Sequence, residues 1–175
     1  GGAVNLKNNR YYFGGFMSNG DFRIFEYNPA ATPQISTKVT VTGTGSGTAN
    51  GDFSFNTAGD LFVVRNAGTE TAIYSLSASV FDAASGGSVA ASSSRTFDTI
   101  SGVNGVAFDS TGRAFLGSGS TMVRYNQPSW DGPQEVSTNL GPIGSRVLDV
   151  AAMLLDLTET ERATLTKYNS DGDPS

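Results

Sequence analysis

The sequence predicts an all-β protein: a β-propeller-like array of about three four-stranded blades, followed by an extended C-terminal β tail. Three observations lead to this fold class. Short segments alternate apolar and polar residues, an internal repeat recurs every 49 to 53 residues, and small polar residues dominate the composition. Glycine supplies 22 of the 175 residues and only 15% are charged, against about 25% in an average soluble domain. Short strands at regular spacing with Gly-rich turns are typical of sandwiches, barrels and propellers.

The repeat is visible when residues 13–28 are laid over residues 62–77, because matching side chains then stand 49 positions apart. A further step of 49 reaches residues 122–126. The matched positions are Phe13 with Phe62, Ile24 with Ile73 and Met122, Phe25 with Tyr74 and Val123, and Tyr27 with Leu76 and Tyr125. A repeat of this length in a strand-rich chain indicates propeller blades.

A second block, residues 50–62, matches residues 104–115 at a step of 53, with Phe55 over Phe108 and Gly59 over Gly112. The two steps agree if the later connection is four residues shorter, in a Gly/Ser turn. Each unit then holds a connecting strand, a tight hairpin pair closed by an Asn-x-x-Gly turn, and a polar outer strand. The connecting strands are predicted at residues 39–41 and 95–100, and the outer strands at 22–27 and 121–125.

These strands predict repeat units near residues 10–30, 36–80, 92–128 and 135–155, within one domain over residues 1–155. The first and last units are halves, so the total is about three blades, whereas a closed propeller typically has 4 to 8. Three explanations stay open. The chain is a fragment of a larger propeller, or it pairs with a second copy into a six-bladed ring, or it passes strands between copies in a polymer, since open edges invite strand addition.

Residues 156–175 differ from the repeats and are predicted to be a linker, or a strand donated to a neighbour or opening a following domain. Residues 163–168 alternate as a single strand without a nearby hairpin partner. Asp171 and Asp173 resemble the start of a calcium loop, but the later bidentate carboxylate that completes such a loop does not follow. A solvated Asp-Gly turn is the default interpretation, with calcium binding left open for a longer chain.

Composition and charge exclude several function classes. Without Cys or His, the chain cannot form a thiolate or imidazole zinc site, a Cys nucleophile, a Ser-His-Asp triad or a disulfide. A net charge of -5 and the lack of a basic run argue against nucleic acid as a partner. The longest apolar stretch, residues 147–155, contains Asp149 and is too short for the ~20 residues of a membrane helix. Because the chain opens with Gly1 and not Met, we expect a processed or cut product.

Carboxylates and glycines that suggest chemistry have plainer interpretations. The pairs Asp52/Asp60 and Asp109/Asp98 could be imagined as acid and base, but they lie at or beside turns, where Asp normally caps the backbone. The run 43–47 is Gly-rich but lacks the Lys and helix of a phosphate loop, so it is predicted to be a flexible inter-strand loop.

Aromatic residues give two alternatives, a carbohydrate-binding platform and packing between blades. The platform candidates are Tyr11, Tyr12, Phe13, Phe16 and Trp130; the predicted core residues are Phe13, Phe55, Phe62, Phe108 and Phe115. Trp130 lies between Ser129 and Asp131 in a turn and is the better surface candidate.

Residues 50–64 and 104–116, with the strand ends Tyr27-Asn28-Pro29 and Tyr125-Asn126-Gln127-Pro128, resemble the propeller-like repeat domain of secreted, cell-wall-anchored proteins of actinobacteria and related Gram-positive bacteria. More distantly, the pattern is similar to the NHL and SMP-30 propellers. The resemblance covers about residues 10–155, and residues 163–174 resemble the first strand of Ig-like or prealbumin-like repeats. The SMP-30 type binds a divalent metal through Glu, Asn and Asp, but no full set of these ligands maps here. The surface members imply adhesive or structural roles.

The predicted function is therefore a non-enzymatic extracellular structural or adhesive module, secreted or attached to the cell surface or cell wall. We expect it to self-associate as a dimer or filament through open β edges. Its partners are other copies or adjacent domains of a longer surface protein, with a glycan or host protein as further candidates. No catalytic, cofactor-binding or metal-binding residue is predicted. The alternatives are an SMP-30-like metal-dependent hydrolase or lactonase and a glycan-binding module.

Overall fold

The structure, a computed structural model, describes residues 1–67, 71–97, 102–118 and 121–137. In chain order its elements are β1 (Gly2–Asn5), β2 (Arg10–Phe16), β3 (Phe22–Tyr27), β4 (Ile35–Thr42), β5 (Asn50–Phe55), β6 (Leu61–Asn66), β7 (Thr71–Leu76), α1 (Ala78–Ala83), β8 (Ser88–Ala90), β9 (Ser93–Phe97), β10 (Val103–Phe108), β11 (Ala114–Ser118), β12 (Thr121–Asn126) and β13 (Asp131–Ser137). The described residues are mostly β, which confirms the strand-rich part of the predicted fold class, and α1 is a short helix that the sequence did not predict.

The strands form three sheets. The first has the order β1-β2-β3-β4-β8, the second β5-β6-β7-β9 and the third β10-β11-β12-β13. All neighbours are antiparallel except β8, which pairs parallel to β4. Each sheet is therefore an antiparallel meander of four strands, and the first gains a fifth strand from the segment that follows α1.

The strands group differently from the repeat units predicted by sequence. β4 pairs with β3, β9 with β7 and β13 with β12, so each predicted connecting strand completes the sheet that precedes it. The segments 22–27 and 121–125 are consequently third strands, and the prediction of outer strands is wrong. Alternation identifies a strand but not its partner, and the seven residues between β3 and β4 are enough for a hairpin return.

The first sheet is also more complete than predicted. β1 pairs with β2 from Gly2↔Phe13 to Asn5↔Arg10, so the unit predicted as a half begins with a strand of its own. The predicted unit at residues 135–155 starts inside β13; residues 138–155 and the predicted tail, residues 156–175, lie outside the described residues.

The predicted hairpin turns are confirmed. Gly59 has a φ of +86° and Gly112 a φ of +82°, a left-handed conformation that favours glycine. In the first turn the Gly59 amide donates to the Asn56 carbonyl at 3.0 Å, and in the second the Gly112 amide donates to the Asp109 carbonyl at 2.9 Å. Both turns fix the register of the hairpin that they close.

Two apolar cores separate the sheets. The first core lies between the first and second sheets and contains Tyr12, Phe22, Ile24, Val39, Val41, Phe53, Phe55, Leu61, Val63, Leu76 and Phe81. The second core lies between the second and third sheets and contains Phe62, Val64, Ile73, Phe97, Val103, Val106, Phe108, Ala114, Leu116, Tyr125 and Trp130. The core predictions for Phe55, Phe62 and Phe108 are confirmed.

The three sheets follow one another along the chain with their first strands side by side. β5 contacts β1 of the first sheet and β10 of the third. The Asp52 carboxylate on β5 is buried and accepts a hydrogen bond from the Val106 amide on β10 at 3.4 Å. Within the described residues, the second sheet is thus covered on both faces, whereas the first and third sheets each pack on another sheet through one face.

A clasp segment, residues 77–92, leaves the second sheet after β7 and crosses to the first sheet. Phe81 of α1 is fully buried in the first core, with its ring centroid 5.1 Å from that of Tyr12 and 5.0 Å from that of Phe55. The Lys38 ammonium group donates to the Ala84 carbonyl at 2.7 Å and lies 5.3 Å from the Phe81 ring centroid. The clasp segment therefore ties the first two sheets together.

The Gly-rich run 43–47 joins strands of two different sheets. The Thr44 hydroxyl is buried and donates to the Gly20 carbonyl at 2.6 Å, and the Arg65 guanidinium donates to the Ser46 carbonyl at 2.6 Å. Gly20 has a φ of +94°, and a Cβ there would meet the Gly45 carbonyl oxygen at 2.5 Å. The run thus contacts the backbone of the β2–β3 turn and the Arg65 side chain of the second sheet.

Candidate interaction face

The first sheet carries a row of exposed apolar side chains on the face turned away from the second sheet. Val4 stands opposite Tyr11, Tyr11 opposite Tyr27, and Tyr27 opposite Ile35, and residues paired in this way point to the same side of a sheet. Their exposed fractions run from 39% to 52%. These are four of the six large apolar side chains exposed in the described part of the chain.

Aromatic rings continue this surface along the sheet. The Phe13 ring stacks on Tyr11 with centroids 6.2 Å apart, and on Phe25 at 5.4 Å, both with planes within about 25° of parallel. Phe13 and Phe25 are half-buried and belong to neither core, so the prediction that Phe13 packs between blades is wrong for the described residues. We call the six side chains of Val4, Tyr11, Phe13, Phe25, Tyr27 and Ile35 the aromatic face.

Charge is sparse around the aromatic face. Arg23 pairs in register with Gly15 and Thr40 on the same side of the sheet, and its Nε donates to the Thr40 hydroxyl at 3.4 Å. Glu26 forms an ion pair with Arg10, and Glu26 stands opposite the buried Tyr12, on the other side of the sheet. Among the described residues, the aromatic face is therefore apolar, with the Arg23 cation at its end.

The third sheet has a smaller counterpart, which we call the far face. It consists of Ala107, Phe115 and Met122, a cluster drawn from the third sheet alone, and Arg124 lies on the same side, opposite Phe115. Ala107 is buried, while Phe115 and Met122 are half-buried. Phe115, predicted as core, thus lies on the side of the third sheet turned away from the second core.

The other aromatic platform candidates lie inside the protein. Tyr12 is 1% exposed in the first core, and burial raises the pKa of its phenol, although the hydrogen bond that its oxygen accepts from the Asn8 side chain opposes this. Phe16 is half-buried against the first core, with its ring 4.8 Å from that of Phe22. Of the predicted platform, only Tyr11 and Phe13 reach the aromatic face.

Trp130 was predicted at the surface, and this prediction is wrong. It is 8% exposed and packs in the second core, with its ring centroid 5.7 Å from that of Phe62 and 5.7 Å from that of Phe97, both of the second sheet. Its backbone has a φ of +56°, and its amide donates to the Asn126 carbonyl at 2.7 Å. This left-handed residue turns the chain so that the indole points inward.

Asp60 and Asp109 accept hydrogen bonds from the backbone of turns, as predicted, whereas Asp52 lies within β5 and not at a turn. Asp60 accepts hydrogen bonds from the Asn56 side chain at 2.9 Å and from the Ala78 amide at the start of α1 at 2.7 Å. Asp109 accepts from the Thr111 amide at 3.0 Å and forms an ion pair with Arg113 at 2.6 Å.

Burial works to raise the pKa of the Asp109 carboxyl. The hydrogen bonds from Thr111 and Arg113, with the charge of Arg113, outweigh burial and hold that pKa below its usual value. Asp98, the proposed partner of Asp109, lies outside the described residues.

The remaining candidate sites have these outcomes. Asp171 and Asp173 lie outside the described residues, so the calcium hypothesis stays a prediction. Over the described ranges, no group of three or more His, Cys, Asp or Glu side chains could hold a metal ion. Among the helices of the described chain, none has the length and apolar character to cross a membrane.

Comparison with known proteins adds no assignment. None of the protein-family models compared with the chain matches it, and no curated protein matches its sequence. Among the described residues, the aromatic face is the feature that bears most directly on function.

Proposed function

We propose that this chain is a non-enzymatic, extracellular structural or adhesive module that associates with other copies of itself through the aromatic face. The observation that carries the proposal is the exposed row of Val4, Tyr11, Tyr27 and Ile35, aligned across four paired strands. A contiguous apolar patch on a soluble protein typically marks a site of interaction. Aromatic residues are also enriched in the centres of protein interfaces.

The proposal treats the three sheets as propeller-like blades. Two features support this: each sheet contains a run of four antiparallel strands, and the first strands β1, β5 and β10 lie side by side. In a propeller the sheets stand around a central axis, and each packs on the next. The described residues hold three such sheets, fewer than the 4 to 8 that typically close a ring. In this proposal a second copy supplies neighbours for the first and third sheets.

The extracellular part of the proposal rests on composition. The chain has no Cys, few charged residues and many Gly residues. This composition, together with the resemblance of the sequence to cell-wall-anchored repeat domains, favours a role at the cell surface.

The test is a measurement of mass by light scattering over a series of protein concentrations. We expect the wild-type mass to rise from 18.2 kDa to twice that value as concentration increases. The double substitution Tyr11→Ser/Ile35→Ser should weaken association by at least about tenfold, because truncating an interface anchor commonly costs more than ~1 kcal/mol.

The matched control is Val80→Ser. Val80 is an exposed apolar residue of α1, 36% exposed, and lies outside the aromatic face, so its replacement should leave the mass curve unchanged. A wild-type mass of 18.2 kDa at every concentration would contradict self-association.

Glycan binding is a second candidate, favoured by the stacked rings of Tyr11, Phe13 and Phe25. Flat aromatic surfaces bury the apolar faces of sugar rings by the same stacking that supports protein contacts. A monomeric wild type whose tyrosine fluorescence changes on titration with a polysaccharide, and whose Tyr11→Ser variant does not respond, would favour this candidate over self-association.

A further inference from the structure

The repeat assigns a direction to each sheet. At the positions Ile24, Ile73 and Met122, spaced by 49 residues, the first two side chains pack on the following sheet: Ile24 lies in the first core and Ile73 in the second. Met122 occupies the same position in the third sheet and lies on the far face. The far face is thus the side of the repeat that covers a following sheet.

The opposite side of the repeat shows the same regularity. Leu76 of the second sheet lies in the first core and Tyr125 of the third sheet in the second core, so both pack on the preceding sheet. Tyr27 is their counterpart one repeat earlier, and it is exposed on the aromatic face. The aromatic face is thus the side of the repeat that rests on a preceding sheet.

We propose that the far face of one copy packs on the aromatic face of a second copy, so that the contact is head-to-tail. This inference rests on the proposed self-association. The aromatic face is then occupied by the third sheet of the second copy. That sheet packs on the first sheet in the same way as the first sheet packs on the second within one chain. This contact repeats the two contacts between sheets within the chain. The aromatic face is therefore more complementary to a far face than to another aromatic face.

The same pairing at both ends joins two copies into a closed ring. Six sheets would then follow one another, a number within the 4 to 8 of known propellers. Each copy contributes Met122 at one contact and Tyr27 at the other, so neither contact is complete within a single chain. This arrangement has twofold symmetry even though each individual contact joins two different faces.

The experiment mixes full-length variants that are each blocked on one face. Tyr11→Ser/Ile35→Ser blocks the aromatic face, and Met122→Lys blocks the far face, with Val80→Lys as the charge control. We expect each blocked variant to be monomeric alone, with an apparent dissociation constant raised at least tenfold over the wild type. Mixed together, they should form a 1:1 complex, because the mixture retains one intact pair of faces.

Fold integrity is followed in each variant by the fluorescence of the single tryptophan, Trp130, in the second core. If Met122→Lys is unfolded, the milder Met122→Ser takes its place, with the same expected mixing result at higher concentration.

Two results would overturn the head-to-tail contact, and one would overturn only the closure of the ring. An associating wild type whose Met122→Lys variant still dimerises alone would show that two aromatic faces meet each other, and self-association itself would stand. A mass that grows without limit would contradict the closed ring. A monomeric wild type whose face variants lose thermal stability would show that residues 138–175 of the same chain occupy these faces, and would also contradict the proposed function.

Discussion

Phe81→Ala should lower the free energy of unfolding by about 3–5 kcal/mol, the range seen for deletion of a buried phenylalanine ring. The Phe81 ring is fully buried and packs against Tyr12 of the first sheet and Phe55 of the second. Its removal leaves a cavity where the clasp segment joins two sheets, which makes this the substitution with the largest expected effect. Urea unfolding followed by circular dichroism measures the change.

The matched control is the neighbouring residue of the same helix. Val80→Ala changes an exposed side chain of α1, and surface substitutions of this kind usually stay within about 0.5 kcal/mol. Equal losses for Phe81→Ala and Val80→Ala would contradict the role assigned to the clasp segment.

Trp130→Ala should cause a loss of similar size, about 3–5 kcal/mol, because the indole fills the second core between the second and third sheets. The left-handed backbone of Trp130 adds a sharper expectation. A side chain in this conformation costs about 1–2 kcal/mol relative to glycine, so Trp130→Gly should be more stable than Trp130→Ala by roughly that amount.

Trp130→Phe is the conservative comparison and should retain most of the stability, because a ring still fills the site. Thermal unfolding monitored by circular dichroism ranks the three variants without relying on tryptophan fluorescence. If the Trp130→Gly variant is no more stable than the Trp130→Ala variant, the left-handed conformation is not under strain in the folded chain.

Much of the sheet structure could be predicted from sequence, because the information is local. The alternation of Phe53 and Phe55 and the left-handed position of Gly59 identify a hairpin, and the 53-residue step identifies its copy at Phe108 and Gly112. Strand partners could not be predicted with the same success. β4 and β9 each have a strand before and after them in the chain, and the pattern of alternation is the same whichever one they pair with.

The clasp segment and the position of Trp130 escaped prediction for physical reasons. α1 has six residues, too few for a periodic pattern, and isolated helices of this length are not stable in water; it forms because Phe81 is buried in the first core. Trp130 has the turn neighbours of a surface residue, and only its left-handed backbone turns it inward. A lone large aromatic residue inside a stretch of small residues was the available signal for Phe81.

The aromatic face was predicted in part. The sequence indicates Tyr11 and Phe13 as platform candidates. Tyr27 joins the row only through the register of β2 with β3, and Ile35 only through the register of β3 with β4. Which exposed side chains line up across a sheet depends on the register of its strands, and the sequence pattern does not determine that register.

Hydroxyl-radical labelling of the wild-type chain, compared between dilute and concentrated solutions, tests most directly whether the aromatic face is a contact surface. We predict that the labelling of Tyr11 and Tyr27 falls on concentration, together with that of Met122, while Met17 in the β2–β3 turn stays constant. Unchanged labelling of Tyr11 and Tyr27 across the whole concentration range would contradict the proposed association through this face.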